Sequence, residues 1–114
     1  MIDLHSHLLP GLDDGSPDLE AAVALAREAE AGGVRVMAAT PHLRADFPAV
    51  RVEELSGRVR ALQAALDAAG VGLRVVSGGE VDVLWAQSAS DEDLRLASFD
   101  ARGAGICSRA FRMR

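Results

Sequence analysis

Residues 1–15 have the sequence MIDLHSHLLPGLDDG, and a His-x-His pair lies at their centre. In an extended strand, side chains two positions apart project to the same side, with Cα atoms about 7 Å apart. His5 and His7 can therefore both reach one metal ion. Histidine also has many structural uses, so a metal site requires further ligands elsewhere in the chain.

Two adjacent carboxylates follow the histidine pair on a predicted turn. Asp13 and Asp14 precede Gly15, which permits backbone angles that other residues resist and so allows the chain to return toward the imidazoles. Between the two acids the pattern favours Asp14 as a ligand, because it adjoins the glycine. Asp13 is expected to be a surface acid that precedes a helix. Mixed nitrogen and oxygen donors suit zinc, manganese or iron.

The composition excludes several functional classes. A chain of 114 residues forms one domain at most, and a net charge of −5 does not provide the basic face that binds nucleic acid. No apolar run approaches the roughly 20 residues of a membrane span, and the first residues do not have the pattern of a signal peptide. The expected location is therefore the cytoplasm.

The single cysteine gives no support to cysteine chemistry. Cys107 has no partner for a disulfide within the chain and cannot form a cysteine-based metal site. A thiol-dependent phosphatase loop needs an arginine six positions after its cysteine, and that position is Met113.

The rest of the chain alternates between helix and strand patterns. Ser16 as N-cap and Pro17 at the first helical position predict a helix that ends at Gly32 and Gly33. The apolar positions of this helix are Leu19, Ala22, Val23, Ala26 and Ala29. A second helix is predicted from 50 to 69 and a third from 91 to 97, and strands are predicted at 34–39 and 71–76.

Every candidate ligand follows a predicted strand. His5 and His7 follow the first strand, His42 follows the second and Glu80 follows the third. Strands joined by helices are parallel, and their carboxyl ends meet at one edge, where the active sites of α/β barrels are built. The pattern therefore predicts an α/β fold with a metal site at that edge. As alternatives, His42 could cap a turn and Glu80 could be solvated beside its neighbouring glycines.

At these residues the chain resembles the polymerase-and-histidinol-phosphatase (PHP) metallohydrolases, above all their bacterial capsule and exopolysaccharide tyrosine-protein phosphatases. The matching stretches are DLHSHLLPGLDDGS at 3–16, ATPH at 39–42 and GGEV at 78–81. The resemblance implies the first three βα units of a distorted TIM-like barrel. It also implies that two or three Mn²⁺ ions, with iron or zinc as alternatives, are held by a set of metal ligands, namely His5, His7, Asp14, His42 and Glu80.

The function implied by the resemblance is metal-dependent hydrolysis of phosphotyrosine on a protein. The implied partner is a bacterial tyrosine kinase that controls polysaccharide assembly. Two alternatives stay open, namely a different PHP phosphoesterase, such as a histidinol-phosphate phosphatase, and an inactive truncated remnant.

The resemblance covers residues 1–100, a partial metallohydrolase domain. Relatives are about twice as long and take further ligands from later strands. Residues 101–114 contain four arginines and no acid, and they are expected to form an aberrant, disordered tail produced by a frameshift near 102–104. An incomplete barrel would leave an unpaired strand edge and an apolar face, which predicts self-association.

Overall fold

The computed structural model describes residues 1–103 and the backbone of residues 107–108. The chain is an α/β protein, which confirms the predicted fold class. Its strands and helices, in chain order, are β1 (Ile2–Asp3), α1 (Leu19–Ala31), β2 (Val36–Ala39), β3 (His42–Leu43), α2 (Leu55–Ala68), β4 (Arg74–Ser77), β5 (Glu80–Val81), α3 (Val83–Ser88), α4 (Asp91–Ala97) and β6 (Cys107–Ser108).

The strands form two small sheets in which all described pairs are parallel. The first sheet has the order β1-β2-β4 and the second has the order β3-β5-β6. The second and third predicted strands correspond to β2 and β4 of the first sheet, and the residues just after each of them form β3 and β5 of the second. Thr40 and Pro41 separate β2 from β3, and a glycine pair at 78–79 separates β4 from β5. The break at Pro41 is expected, because proline cannot donate a ladder hydrogen bond.

Helix α2 covers the first sheet with the apolar face predicted from its spacing. Leu55, Val59, Leu62 and Leu66 are all buried, and Val52 is buried in a 3₁₀ turn that precedes the helix. These side chains join the core that also contains Leu8, Leu9, Leu43 and Leu73. A continuous apolar core therefore lies beneath the carboxyl ends of the strands.

Helix α1 begins later than its sequence signals predicted. Its N-cap is Asp18, whose carboxylate accepts a hydrogen bond from the N–H of Ala21 at 2.8 Å. The predicted cap, Ser16, is instead committed to a turn, since its N–H donates to the carbonyl of His7 and its carbonyl accepts from Gly11. The first predicted apolar position, Leu19, is 48% exposed, so the buried face begins at Ala22.

A side chain satisfies two backbone groups at the outer edge of β4, which is the last strand of the first sheet among the described residues. Gln63 of α2 accepts a hydrogen bond from the N–H of Val75 at 2.8 Å and donates to the carbonyl of Leu73 at 3.0 Å. Its amide thus replaces the backbone groups that a further strand would offer.

Several large apolar side chains are exposed on the described surface, with Met1, Ile2, Leu4 and Leu84 each more than half accessible. Self-association stays a prediction. Within the described residues, every helix is too short or too polar to span a lipid bilayer. The predicted tail lies outside the described residues, apart from residues 101–103 and the backbone of β6.

Candidate metal centre

Three imidazoles and the buried carboxylate of Glu80 meet at the carboxyl ends of the strands. The ring centroids of His5 and His7 are 5.0 Å apart, and those of His7 and His42 are 4.5 Å apart. The carboxylate of Glu80 lies 3.5 Å from Nε2 of His5 and 2.5 Å from Nδ1 of His42. The predicted convergence of these four residues is therefore present in the fold.

Strand register explains why His42 and Glu80 meet. The two residues are direct partners in the parallel pair of β3 and β5, and the N–H of Glu80 donates to the carbonyl of Pro41 at 2.9 Å. Both side chains are only 7% exposed. The short second sheet thus fixes two donor groups side by side in a buried position.

The histidine pair lies after the first strand, as predicted, but a pinned loop rather than an extended strand positions it. Strand β1 ends at Asp3, so His5 and His7 lie beyond it. Thr40 pins this loop, because its N–H and hydroxyl both donate to the carbonyl of Ser6 and its hydroxyl oxygen accepts from the N–H of Ser6. The hydroxyl also lies 3.1 Å from Nδ1 of His5, which leaves Nε2 facing Glu80.

Asp14 lies at the open side of the cluster. Its Oδ1 is 3.2 Å from Nε2 of His42 and 3.8 Å from Nδ1 of His7, and its side chain is 64% exposed. The carboxylate can therefore reach an ion beside His42 while it stays accessible to solvent.

Asp13 is not the surface acid that the sequence suggested. Its carboxylate is 1% exposed and lies 2.9 Å from Nδ1 of His7. It also accepts hydrogen bonds from the N–H of His42 at 3.0 Å and of Gly15 at 3.1 Å. The turn at 13–15 has folded inward, so the first acid is buried and the second faces outward.

The contact between His7 and Asp13 shifts the pKa of both groups. The hydrogen bond to Asp13 raises the pKa of His7 above its ordinary value of 6.5, and although burial opposes this, the surrounding carboxylates add to the rise. Burial by itself would raise the pKa of Asp13, but hydrogen bonds from His7 and from two backbone N–H groups outweigh it and lower the pKa below 3.8. The pair is thus stabilised as imidazolium and carboxylate.

We predict a pH-dependent stability of the metal-free chain from this pair. The raised pKa of His7 gives a contribution that is complete below about pH 6.5 and is lost as the pH rises through the folded-state value. The lowered pKa of Asp13 gives a contribution present above about pH 3.8 and lost as the pH falls through the folded-state value. Thermal unfolding in chelator at pH 5 and pH 8 should show the larger stability at pH 5.

The variant Asp13→Asn provides the control for this pH dependence. The contributions of distant groups cancel between wild type and variant, so the difference reports on the pair and its immediate neighbours. An equal loss of stability between pH 5 and pH 8 in both proteins would contradict the assignment.

The donor set fits divalent metal ions. Among the described residues, two groups of side chains each bring one ligand atom per residue within 4.8 Å of one another, namely His5, His7 and Glu80 in one, and His7, Asp13, Asp14 and His42 in the other. Nδ1 of His42 is buried and makes no aligned hydrogen bond, although a carboxylate oxygen is 2.5 Å away. Such close, unaligned donor atoms are expected of groups arranged around a cation, and imidazole with carboxylate suits manganese, iron or zinc.

Comparison with known proteins identifies the family. The sequence model of the family described as capsular polysaccharide synthesis, CpsB/CapC, matches residues 1–95. The chain belongs to this family. The resemblance drawn from its three motifs is thereby confirmed.

Two tyrosine-protein phosphatases are similar in sequence to part of this chain. YwqE of Bacillus subtilis is 48% identical over 42 residues, and CpsB of Streptococcus agalactiae serotype V is 43% identical over 44 residues. These matches cover 37% and 39% of this chain but only 16% and 18% of the two relatives. The chain therefore matches less than a fifth of either relative.

A solved structure extends the similarity to the fold. It comes from work on YwqE from Bacillus subtilis and CpsB from Streptococcus pneumoniae, which are described as unique metal-dependent tyrosine phosphatases. The TM-score is 0.73 at 27% identity, with 89% of this chain and 41% of that chain covered.

Three residues around the site of this CpsB/CapC chain were missed by sequence reasoning. Asp13 and Thr40 contact the histidines as described above, and Phe47 stacks on His42 with ring centroids 4.7 Å apart. Thr40 lies inside the Ala-Thr-Pro-His motif and Asp13 inside Asp-Asp-Gly, so their membership in these motifs could have indicated a role at the site. Phe47 lies in an irregular loop, and no sequence pattern indicated its contact with His42.

Proposed function

We propose that this chain carries part of a metal-dependent site that hydrolyses phosphotyrosine on a protein, in support of capsule or exopolysaccharide synthesis. The observation that carries the proposal is the convergence of His5, His7, His42, Glu80 and Asp14 at the carboxyl ends of parallel strands. The proposed reaction and substrate are suggested by relatives named as tyrosine-protein phosphatases.

The proposed ligand roles are those that the family resemblance implies, and they use residues from both groups of donor atoms. His5 and His7 would hold one ion, Glu80 would bridge to a second, and Asp14 with His42 would help to hold a third. We propose Mn²⁺ as the ion, with iron or zinc as alternatives, because each accepts mixed imidazole and carboxylate ligands.

Electrostatics explains why the site would need cations. Asp13, Asp14 and Glu80 are carboxylates, so the cluster by itself would repel a phosphate monoester dianion. Bound divalent ions would reverse this charge, lower the pKa of water and neutralise phosphoryl oxygens during displacement. The protein groups hold and orient the ions, and the burial of His42 and Glu80 keeps bulk water from that side.

The wider setting is proposed from the family. Residues 1–100 would form the first three βα units of a PHP-type distorted barrel, consistent with the parallel sheets and the similarity to the solved structure. The proposed partner is a tyrosine kinase of polysaccharide assembly, in line with the family description. The proposal also keeps the cytoplasmic location expected from the sequence.

Phosphate release from a phosphotyrosine peptide tests the proposal. The purified chain with Mn²⁺ should hydrolyse the peptide, and a chelator or the variant His5→Ala should reduce the rate to background. Histidinol phosphate serves as the comparison substrate and should be the poorer one. No Mn²⁺-dependent release from the peptide would favour an inactive truncated remnant over the proposed activity, and preferential hydrolysis of histidinol phosphate would favour a different phosphoesterase.

A further inference from the structure

Both oxygens of the Asp13 carboxylate contact hydrogen-bonding groups of the residues that form the candidate site. Oδ2 lies 2.9 Å from Nδ1 of His7 and accepts the N–H of His42 at 3.0 Å, while Oδ1 accepts the N–H of Gly15 at 3.1 Å. With a side-chain exposure of 1%, no solvent competes for these contacts. A buried carboxylate that meets three donors is strongly held in one orientation.

These contacts decide between two possible uses of His7. Its ring belongs to both groups of candidate ligands, but a neutral imidazole has one N–H and one lone pair. A carboxylate can only accept, so Nδ1 carries the hydrogen and the lone pair resides on Nε2. An imidazole whose N–H is held by a carboxylate while its other nitrogen binds metal is a recurrent arrangement in metalloproteins.

We propose that Asp13 is a positioning residue that holds the Nδ1–H of His7 and thereby commits Nε2 of His7 to the ion shared with His5 and Glu80. This inference rests on the proposed metal site. It assigns Asp13 no direct bond to an ion, although its atoms lie within reach of Asp14 and His42. The ion beside Asp14 would then depend on Asp14 and His42 rather than on His7.

A second consequence concerns the backbone of His42. Because the same carboxylate oxygen accepts from the N–H of His42, Asp13 ties the loop that carries His7 to the strand that carries His42. One side chain thus sets the relative position of two ligands that are 35 residues apart in sequence.

Metal affinity in the variant Asp13→Asn tests the proposal. An amide cannot accept from all three donors, since either orientation places its NH₂ against another N–H. We expect the affinity for Mn²⁺ to fall by about 10–100-fold, as for other partners that orient a ligand, with an unchanged number of ions bound. Asp91→Asn, which removes an exposed acid at the start of α4, should bind as the wild type does. Isothermal titration calorimetry gives both quantities.

The tautomer of His7 can be measured in the wild type without metal, so this test does not depend on whether a variant folds. Nitrogen-15 NMR of the metal-free wild type, at an alkaline pH at which imidazoles are neutral, should show the proton of His7 on Nδ1. In Asp13→Asn the form with the proton on Nε2 should become populated. A wild-type proton on Nε2, or an unchanged Mn²⁺ affinity in Asp13→Asn, would overturn the inference.

Two further outcomes separate this inference from the proposed function. A lower number of bound ions in Asp13→Asn would make Asp13 a direct ligand and overturn its positioning role. Absence of Mn²⁺ binding by both wild type and His5→Ala would overturn the proposed metal site itself, whereas the tautomer of His7 would still report on Asp13.

Discussion

Replacement of Glu80 by glutamine should abolish most of the metal affinity of this chain. Glu80 is 7% exposed, with one carboxylate oxygen beside His5 and the other beside His42. Glutamine keeps the size of the side chain but removes the negative charge and one of the two acceptor oxygens. We expect Mn²⁺ affinity to fall by more than the roughly 100-fold upper range for partners that only orient ligands.

The control for this prediction is Glu53→Gln. Glu53 is an exposed acid that pairs with Arg51, so the same chemical change is made away from the cluster. Its Mn²⁺ affinity, measured by titration calorimetry alongside Glu80→Gln, should equal that of the wild type. A folded Glu80→Gln protein, as judged by circular dichroism, that binds Mn²⁺ as tightly as the wild type would refute the assigned role.

Addition of a single methyl group at residue 15 should be the most disruptive small change in the loop. A Cβ on Gly15 would overlap the carbonyl oxygen and the Cβ of His7, which are fixed backbone-proximal atoms that no rotamer change can move. Overpacking typically costs about 1–3 kcal/mol, and Gly15→Ala should lie at or above the upper end. Urea unfolding of the metal-free chain measures the loss.

Gly57→Ala is the matched substitution for this experiment. Gly57 lies on the exposed side of α2, and the nearest atom to an added Cβ is a guanidinium nitrogen of Arg60 at 4.0 Å. Alanine is favoured over glycine in a helix by about 1 kcal/mol, so this variant should be more stable than the wild type. Equal stabilities for Gly15→Ala and the wild type would show that the turn does not pack against His7 in solution.

The positions of His42 and Glu80 were predictable because they depend on local pattern. Each follows an apolar stretch of strand length, and parallel connection places such residues at one edge. The α2 face was predictable for the same reason, since Leu55, Val59, Leu62 and Leu66 recur at helical spacing and all are buried. What the pattern did not predict was that a short second sheet, rather than the strand ends alone, holds the two ligands.

The inversion of Asp13 and Asp14 was not predictable from the sequence. Both acids have the same chemistry and adjacent positions, so their difference depends on how residues 8–16 fold back over His7. That fold depends on contacts distant in sequence, such as the hydrogen bond from the N–H of His42 to Asp13. The same turn explains why Ser16 is not the N-cap of α1. Its backbone N–H and carbonyl are hydrogen-bonded within the turn, and the helix begins two residues later, at its N-cap Asp18.

The proposed ions would be bound by residues attached to both sheets. The loop with His5 and His7 is fastened to the end of β2 in the first sheet, whereas Glu80 belongs to the second. A cation bound by all three side chains would link the two sheets, in addition to the two-residue connections at 40–41 and 78–79. If the ion binds only the folded chain, a hundredfold excess over its dissociation constant would add about 2.7 kcal/mol to stability. The bound ion would then affect how much of this chain stays folded.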